Sequence, residues 1–287
     1  MKRVFIIYSI TAIACLLNMQ AFGQFYQPNK QQYQTPKRYG LKYKSVTFES
    51  EDKTRLHGWF VPATDKAIGT VLHFHGNAQN LTAHFSFVKW LPKQGFNVFL
   101  FDYRGYGKSE GTPTRTGVHK DAIAALKYVQ ARDDVDSDRL LVLGQSLGGA
   151  VAISAIASTN TNASGICGIA VESTFDSYAA IAKEKAPAFL VALAISDKLS
   201  PNAVVKNLSP IPIVFIHGTS DRVVPYRRGK SLFDKASKPK AMWTIKGGRH
   251  TEAFTTYGKI YQAKLIKYFR KCIERKIKAK AAEPQPN

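Results

Sequence analysis

The sequence predicts an α/β fold, an open, doubly wound, mostly parallel sheet with helices on both faces. Short apolar runs recur along the chain: "TVLHFHG", "NVFLFDYRG", "LLVLG", "GIAVEST", "IVFIHG" and "AMWTIKG". Near-continuous hydrophobic runs of this length are the pattern of strands covered on both faces. Helical patterns separate them, at residues 80–94, 118–132, 147–158, 226–237 and 254–276. Strand–helix alternation implies right-handed crossovers within one sheet. With 287 residues, 45% of them hydrophobic, the chain suits one large domain, assigned here to 41–276.

Taken in order, the chain opens with "MKR", a short positive region, then "VFIIYSITAIACLL" and "AFG". A basic start, a short apolar core and small residues at 21 and 23 read as a secretory signal peptide over 1–23, cleaved after Gly23. The mature protein is then exported, periplasmic or extracellular. Lipidation of Cys15 after "AIA", or an uncleaved anchor, are the alternatives. Residues 24–40, "QFYQPNKQQYQTPKRYG", lack apolar periodicity and read as a flexible, exposed leader. "KYKSVTFES" and "RLHGWFVPA" then form an antiparallel pair around the turn "EDKT". Between Glu172 and Ile213 there is room for only a small lid. Within it "APAFLVALAI", residues 186–195, reads either as an ordinary buried helix or as a helix flanking an acyl pocket. Residues 277–287, ending in "EPQPN", are expected to be disordered.

A formal net charge of +21 favours anionic partners. No helix-turn-helix, zinc-finger or aromatic RNA-binding signature accompanies it, so nucleic acid is not expected. A basic, solvated surface with weak attraction to anionic membranes is the reading that remains. Cys167 and Cys272 make no disulfide framework and no metal site, and are expected to be inert thiols. His73 and His75 share a strand face, but "HFHGNAQN" supplies no acid to complete a metal pattern. No metal and no cofactor are expected.

"GQSLGGA", residues 144–150, follows the apolar run "RLLVL" and precedes "VAISAIAS". Gly144-Gln145-Ser146-Leu147-Gly148 is a G-x-S-x-G pattern between a strand and a helix, the setting in which it mounts a nucleophile on a sharp bend. Glycines at 144 and 148 relieve the crowding of that bend. The helix beginning there aims its N-terminal amides at a developing oxyanion. A serine hydroxyl needs a base, and the base an orienting acid. His250, in the glycine turn "GGRH" after the last strand, is the candidate base, because strand carboxyl ends are where such sheets gather catalytic groups. His217 is read as supporting the loop that follows it. Asp221 in "HGTSDRVVP" is the candidate acid and Glu172 in "VEST" the alternative. Asp102 precedes the serine and is read as bracing a loop. The oxyanion donors are the Leu147 N–H and, in the turn after Gly76, the Asn77 N–H.

"HFHGNAQN", "FDYRGYGKSEGTPT", "GQSLGG", "ESTFDS", "HGTSDRVVP" and "GGRH", spread over residues 41–275, resemble the α/β-hydrolase superfamily. The set is similar to the branch holding lysophospholipid lipases, protein-depalmitoylating thioesterases and many bacterial esterases. The resemblance implies an α/β-hydrolase sheet with a small lid, Ser146 as nucleophile, Asp221 and His250 as its partners, and Asn77 and Leu147 as amide donors. A serine, with no aspartate in its place, argues against the dehalogenase relatives. The expected function is that of a secreted serine hydrolase acting on carboxylic esters or thioesters, lipid acyl bonds included. A serine peptidase with the same triad and a noncatalytic basic-surface binder on the same fold are the alternatives.

Overall fold

The computed structural model describes residues 25–158, 163, 165–184, 187, 191 and 195–282. Its main sheet has eight strands: β1 (Lys44–Glu49), β2 (Arg55–Val61), β3 (Gly69–Phe74), β4 (Phe96–Phe101), β5 (Leu140–Gln145), β6 (Ile166–Glu172), β7 (Ile213–Gly218) and β8 (Lys240–Ile245). In space they run β1-β2-β4-β3-β5-β6-β7-β8. Only β2 runs against its neighbours, pairing antiparallel with both β1 and β4; every other pairing is parallel. The mostly parallel sheet expected from the apolar runs is present, and the exceptional strand lies in the hairpin around "EDKT".

Two cores explain why the central strands are apolar without alternation. Leu140 and Val142 of β5 join one buried cluster, and Leu141 and Leu143 join the other. Side chains alternate across a strand, so a strand covered on both faces needs apolar residues at both parities. Helices α1 (Arg115–Gln130), α2 (Leu147–Ala157) and α3 (Tyr226–Lys235) supply the first cluster through Val118, Leu126, Ile153 and Leu232. Helix α4 (Gly258–Ala281) supplies the second through Leu265, Phe269 and Cys272. Thr114 caps α1 by accepting the Gly117 N–H at 3.0 Å.

Three expectations need correction. Residues 80–94 are not one helix: Asn80 caps a single turn, Leu81–His84, followed by 3-10 turns at Phe85–Phe87 and Pro92–Gln94. Leu81, Phe85, Val88 and Leu91 still face the second core. The apolar period survives, but aromatic and β-branched residues and then Pro92 do not sustain a regular helix. The last helix extends to Ala281, adding a little over one turn of exposed Ile, Lys and Ala beyond 276 in which nothing breaks the helical bonding, and Lys280 pairs with Asp138. The disordered tail therefore does not begin at 277; residues 283–287 lie outside the described residues.

The third correction concerns the leader. From Phe25 onward it lies against the domain, with Tyr26 and Pro36 buried and Gln27–Pro28 pairing in parallel with Ala78–Gln79. Its aromatic residues are spaced irregularly, so no helical or strand period announces them. They fill gaps between loops instead. The signal-peptide reading of 1–23, with Cys15, falls outside the described residues, as does 186–195 except for 187, 191 and 195.

The lid expected between Glu172 and Ile213 includes the short helices Tyr178–Ala182 and Pro201–Val204. Asp197 ties them together, its Oδ1 accepting from Ser177 Oγ (2.6 Å), the Ala179 N–H (3.1 Å) and Ser200 Oγ (2.7 Å). Arg227 and Arg228 of α3 hold Glu184 from below. Among the described residues no helix is long and apolar enough to cross a membrane.

Candidate active site

Ser146 sits between the end of β5 and the first turn of α2 with φ 52° and ψ −120°, a conformation that side-chain-bearing residues rarely adopt. The bend survives because its surroundings leave no other course. The Ser146 N–H donates to the Glu172 carbonyl (2.8 Å) and the Gly149 N–H to the Ser146 carbonyl (3.1 Å). A Cβ on Gly144 would lie 2.6 Å from the Gly149 Cα, and one on Gly148 would lie 2.5 Å from the His75 carbonyl oxygen. Both glycines are thus required by close backbone approach.

The structure brings Ser146, Asp221 and His250 together from three loops. His250 Nδ1 is 2.8 Å from Asp221 Oδ2, and His250 Nε2 is 3.2 Å from Ser146 Oγ. With Asp221 ionised, Nδ1 carries the proton and donates it to the carboxylate, leaving Nε2 to accept from the serine hydroxyl. The other carboxylate oxygen of Asp221 accepts from the Val223 and Val224 N–H groups, both at 2.9 Å. Burial pushes the Asp221 carboxyl up, but the hydrogen bonds from His217, His250 and the loop outweigh it and hold the group well below the usual carboxylate range. His217 lies beneath this loop, with Nε2 2.8 Å from the Val224 carbonyl and 3.4 Å from Asp221. It is the support expected of it.

Glu172 does not reach His250. Its side chain is buried and accepts from Gln145 Nε2 (2.6 Å) and the Ala253 N–H (2.7 Å). Burial pushes its carboxyl up from the ordinary range. It binds the elbow to the loop carrying His250, and Ser173 Oγ adds a second tie by accepting the Thr251 N–H at 3.1 Å. Sequence reading missed Gln145 and Ser173, because inside a motif or beside it neither residue carries a spacing signal.

Leu147 opens α2, so its N–H has no intrahelical acceptor, and the residue lines the cleft beside Ser146. Asn77 lines the same cleft. Its carbonyl accepts from Tyr106 Oη (2.6 Å) and the Gln27 N–H (2.8 Å). Asp102 braces the loop behind it, with Oδ1 accepting the Leu81 N–H (2.7 Å) and the backbone carbonyl accepting from Ser109 Oγ (2.7 Å). Burial depresses His73, at the end of β3, to about 3 and His84, at the end of the turn Leu81–His84, to about 4, so both imidazoles are neutral. Beyond Ser146 the cleft is lined by Phe25, Phe175, Ile181, Ala182, Val223 and Val224. It is an apolar slot with its polar groups gathered at one end.

Residues 65–210 match the family described as serine aminopeptidase, S33. The chain belongs to this family of α/β-hydrolases. It is 37% identical to the YfhR protein of Escherichia coli K12 over 93% of each chain. It is 32% identical to the α/β-hydrolase domain-containing protein WAV2 of Arabidopsis thaliana, over 85% of this chain and 84% of that one. An esterase from Pyrococcus furiosus shares the fold with a TM-score of 0.71 at 22% identity, over 86% of this chain and 99% of that one. The fold class and family resemblance read from the motifs are thus met, and the chain is a hydrolase of this superfamily.

Proposed function

We propose that this hydrolase cleaves carboxylic esters or thioesters with apolar acyl groups through an acyl-enzyme on Ser146. The observation that carries the reading is the contact chain Asp221–His250–Ser146 opening onto an apolar cleft. Ser146 Oγ attacks the acyl carbon as its proton passes to His250 Nε2, and the carbonyl electron pair moves onto oxygen. The Leu147 and Asn77 N–H groups receive that oxyanion; one such donor is worth ~10²–10³ in kcat. Collapse expels the alkoxide or thiolate, which takes the proton from His250. Water then attacks the acyl carbon, giving its proton to His250, and collapse releases the acid as Ser146 Oγ takes that proton back. Asp221 remains ionised and stabilises the imidazolium in both halves.

The family description names an aminopeptidase, and the same three residues can cleave amides. An aminopeptidase must hold its substrate's ammonium group. Among the described residues lining the cleft there is no carboxylate to do so, and the apolar wall favours an acyl chain. A noncatalytic binder has no need of a strained serine in line with a histidine and a buried carboxylate. Export through residues 1–23 belongs to the same proposal, on the strength of the basic, apolar and small-residue pattern there.

The test is hydrolysis of short- and long-chain p-nitrophenyl esters, an acyl thioester and an aminoacyl amide, with fluorophosphonate labelling alongside. The parent should turn over the esters and take the label, and Ser146→Ala should do neither while keeping its circular dichroism. Labelling of both proteins would remove Ser146 as nucleophile. Faster turnover of the amide than of any ester would move the assignment to the peptidase.

A further inference from the structure

The first residues of the leader, just after the expected signal-peptide cleavage site, are built into the cleft. Phe25 lines it beside Ser146, with its ring 6.4 Å from Phe175 and 5.2 Å from Tyr178 in an edge-on contact. Tyr26 is buried beneath. Gln27 donates its N–H to the Asn77 carbonyl, and Asn29 donates to Gln79 at 3.1 Å while its own carbonyl accepts the Gly107 N–H at 3.0 Å. Asn80 Nδ2 reaches back to the Gln31 carbonyl at 2.7 Å. Three of these contacts fall on the loop after β3 that carries Asn77, and one on the loop after β4.

We infer that residues Phe25–Gln31 are a working part of the active site: Phe25 is a specificity-determining wall of the acyl cleft, and the Gln27 N–H is a positioning group for Asn77. The inference rests on the acyl-enzyme reading above. A short strand pairing holds Gln27 in register, so its N–H and Tyr106 Oη together fix the Asn77 carbonyl and with it the dihedral angles of that residue. The Asn77 N–H must be held within about 0.5 Å of its productive position toward the forming oxyanion, which a two-point hold on the same residue provides. Among the described residues lining the cleft, Phe25 is the aromatic wall that comes from outside residues 41–276. Its ring occupies volume that a longer acyl chain would need.

The experiment first records fluorophosphonate labelling and the kcat/KM ratio for octanoate over acetate esters in the parent. Phe25→Ala should raise that ratio about tenfold, the low end of what a hydrophobic pocket discriminates per methylene, and Phe25→Trp should lower it. Gln27→Pro, which removes the N–H, should lower kcat at least tenfold more than Gln27→Ala, which keeps it, with KM changing less than kcat. A purely structural segment would lower stability and all esters alike. A ratio within twofold of the parent in both Phe25 variants, or equal kcat for the two Gln27 variants, overturns the inference while labelling of the parent leaves the serine reading standing. A parent that neither labels nor hydrolyses overturns both.

Discussion

The Glu172 main-chain carbonyl accepts the Ser146 N–H at 2.8 Å, while the Glu172 side chain turns away to Gln145 and Ala253. The residue that competes with Asp221 as the acid is thus bound to the nucleophile by its backbone and to the histidine loop by its carboxylate, and it touches the imidazole with neither.

Asp221→Asn should therefore cost far more activity than Glu172→Gln. An amide at 221 leaves His250 in the wrong tautomer, which lowers kcat by ~10⁴ in a serine protease triad. An amide at 172 instead sets a donor against the Gln145 amide or the Ala253 N–H, and a buried unsatisfied group costs ~1–3 kcal/mol of stability. Steady-state kinetics and thermal melts on both variants check this. The reverse ranking in kcat would make Glu172 the acid.

The same substitution carries a pH signature. Asp221 holds its proton less readily in the folded chain than in the unfolded one, where its pKa is ~3.9. Its ionised form stabilises the fold above that value, and the contribution is lost as pH falls toward the depressed folded value. The stability gap between parent and Asp221→Asn should shrink between pH 5 and pH 3 in denaturant titrations. A gap that widens in acid would contradict the charge assignment.

Gly148→Ala should destabilise the whole domain as well as silence it. Its Cβ would meet the Phe74 and His75 carbonyl oxygens, which are fixed in the strand end and cannot swing aside as a flexible side chain would. Overpacking against backbone costs ~1–3 kcal/mol or more, and each kcal/mol lowers Tm by ~2–4 °C in a domain of this size. A melt within a degree of the parent would show that the elbow can open.

Cys167 and Cys272 should resist thiol reagents until the protein unfolds. Both are buried, and burial pushes their thiols up to about 12 and about 11. Thiolate is the reactive form, so at pH 8 little is present at either site. Ellman's reagent should report neither residue in native buffer and both in guanidinium. Rapid reaction of native protein would mark one of them as accessible.

The basic surface should bind anionic vesicles reversibly. Along α4, Lys259, Lys267, Lys271 and Lys278 accompany exposed Ile260 and Ile277. Each positive charge near an anionic bilayer contributes ~1 kcal/mol, and salt screens the attraction. Sedimentation with phosphatidylserine vesicles should fall as salt rises, and neutral vesicles should bind little. Salt-resistant sedimentation with a diacylglyceryl mass increment would point to lipidation of Cys15 instead.

Sequence alone determined what local chemistry writes. Continuous apolar runs such as "LLVLG" specified strands covered on both faces, because a half-exposed strand would alternate. Gly144 and Gly148 specified the elbow, because only glycine tolerates backbone approaching so closely. The order of Ser146, Asp221 and His250 was legible because each ends a strand run and the sheet gathers those ends. Tertiary structure alone decided the rest. Whether Asp221 or Glu172 meets His250 depends on which loop faces which, a choice between two strand ends that spacing leaves equal. The leader became part of the cleft because Phe25 packs against Tyr178 and Gln27 pairs with Ala78, residues more than fifty positions away, and contacts of that range leave no period in the chain. Residues 80–94 kept the apolar spacing of a helix and lost its hydrogen bonding, since burial of one face selects positions while Pro92 and the aromatic residues govern the backbone.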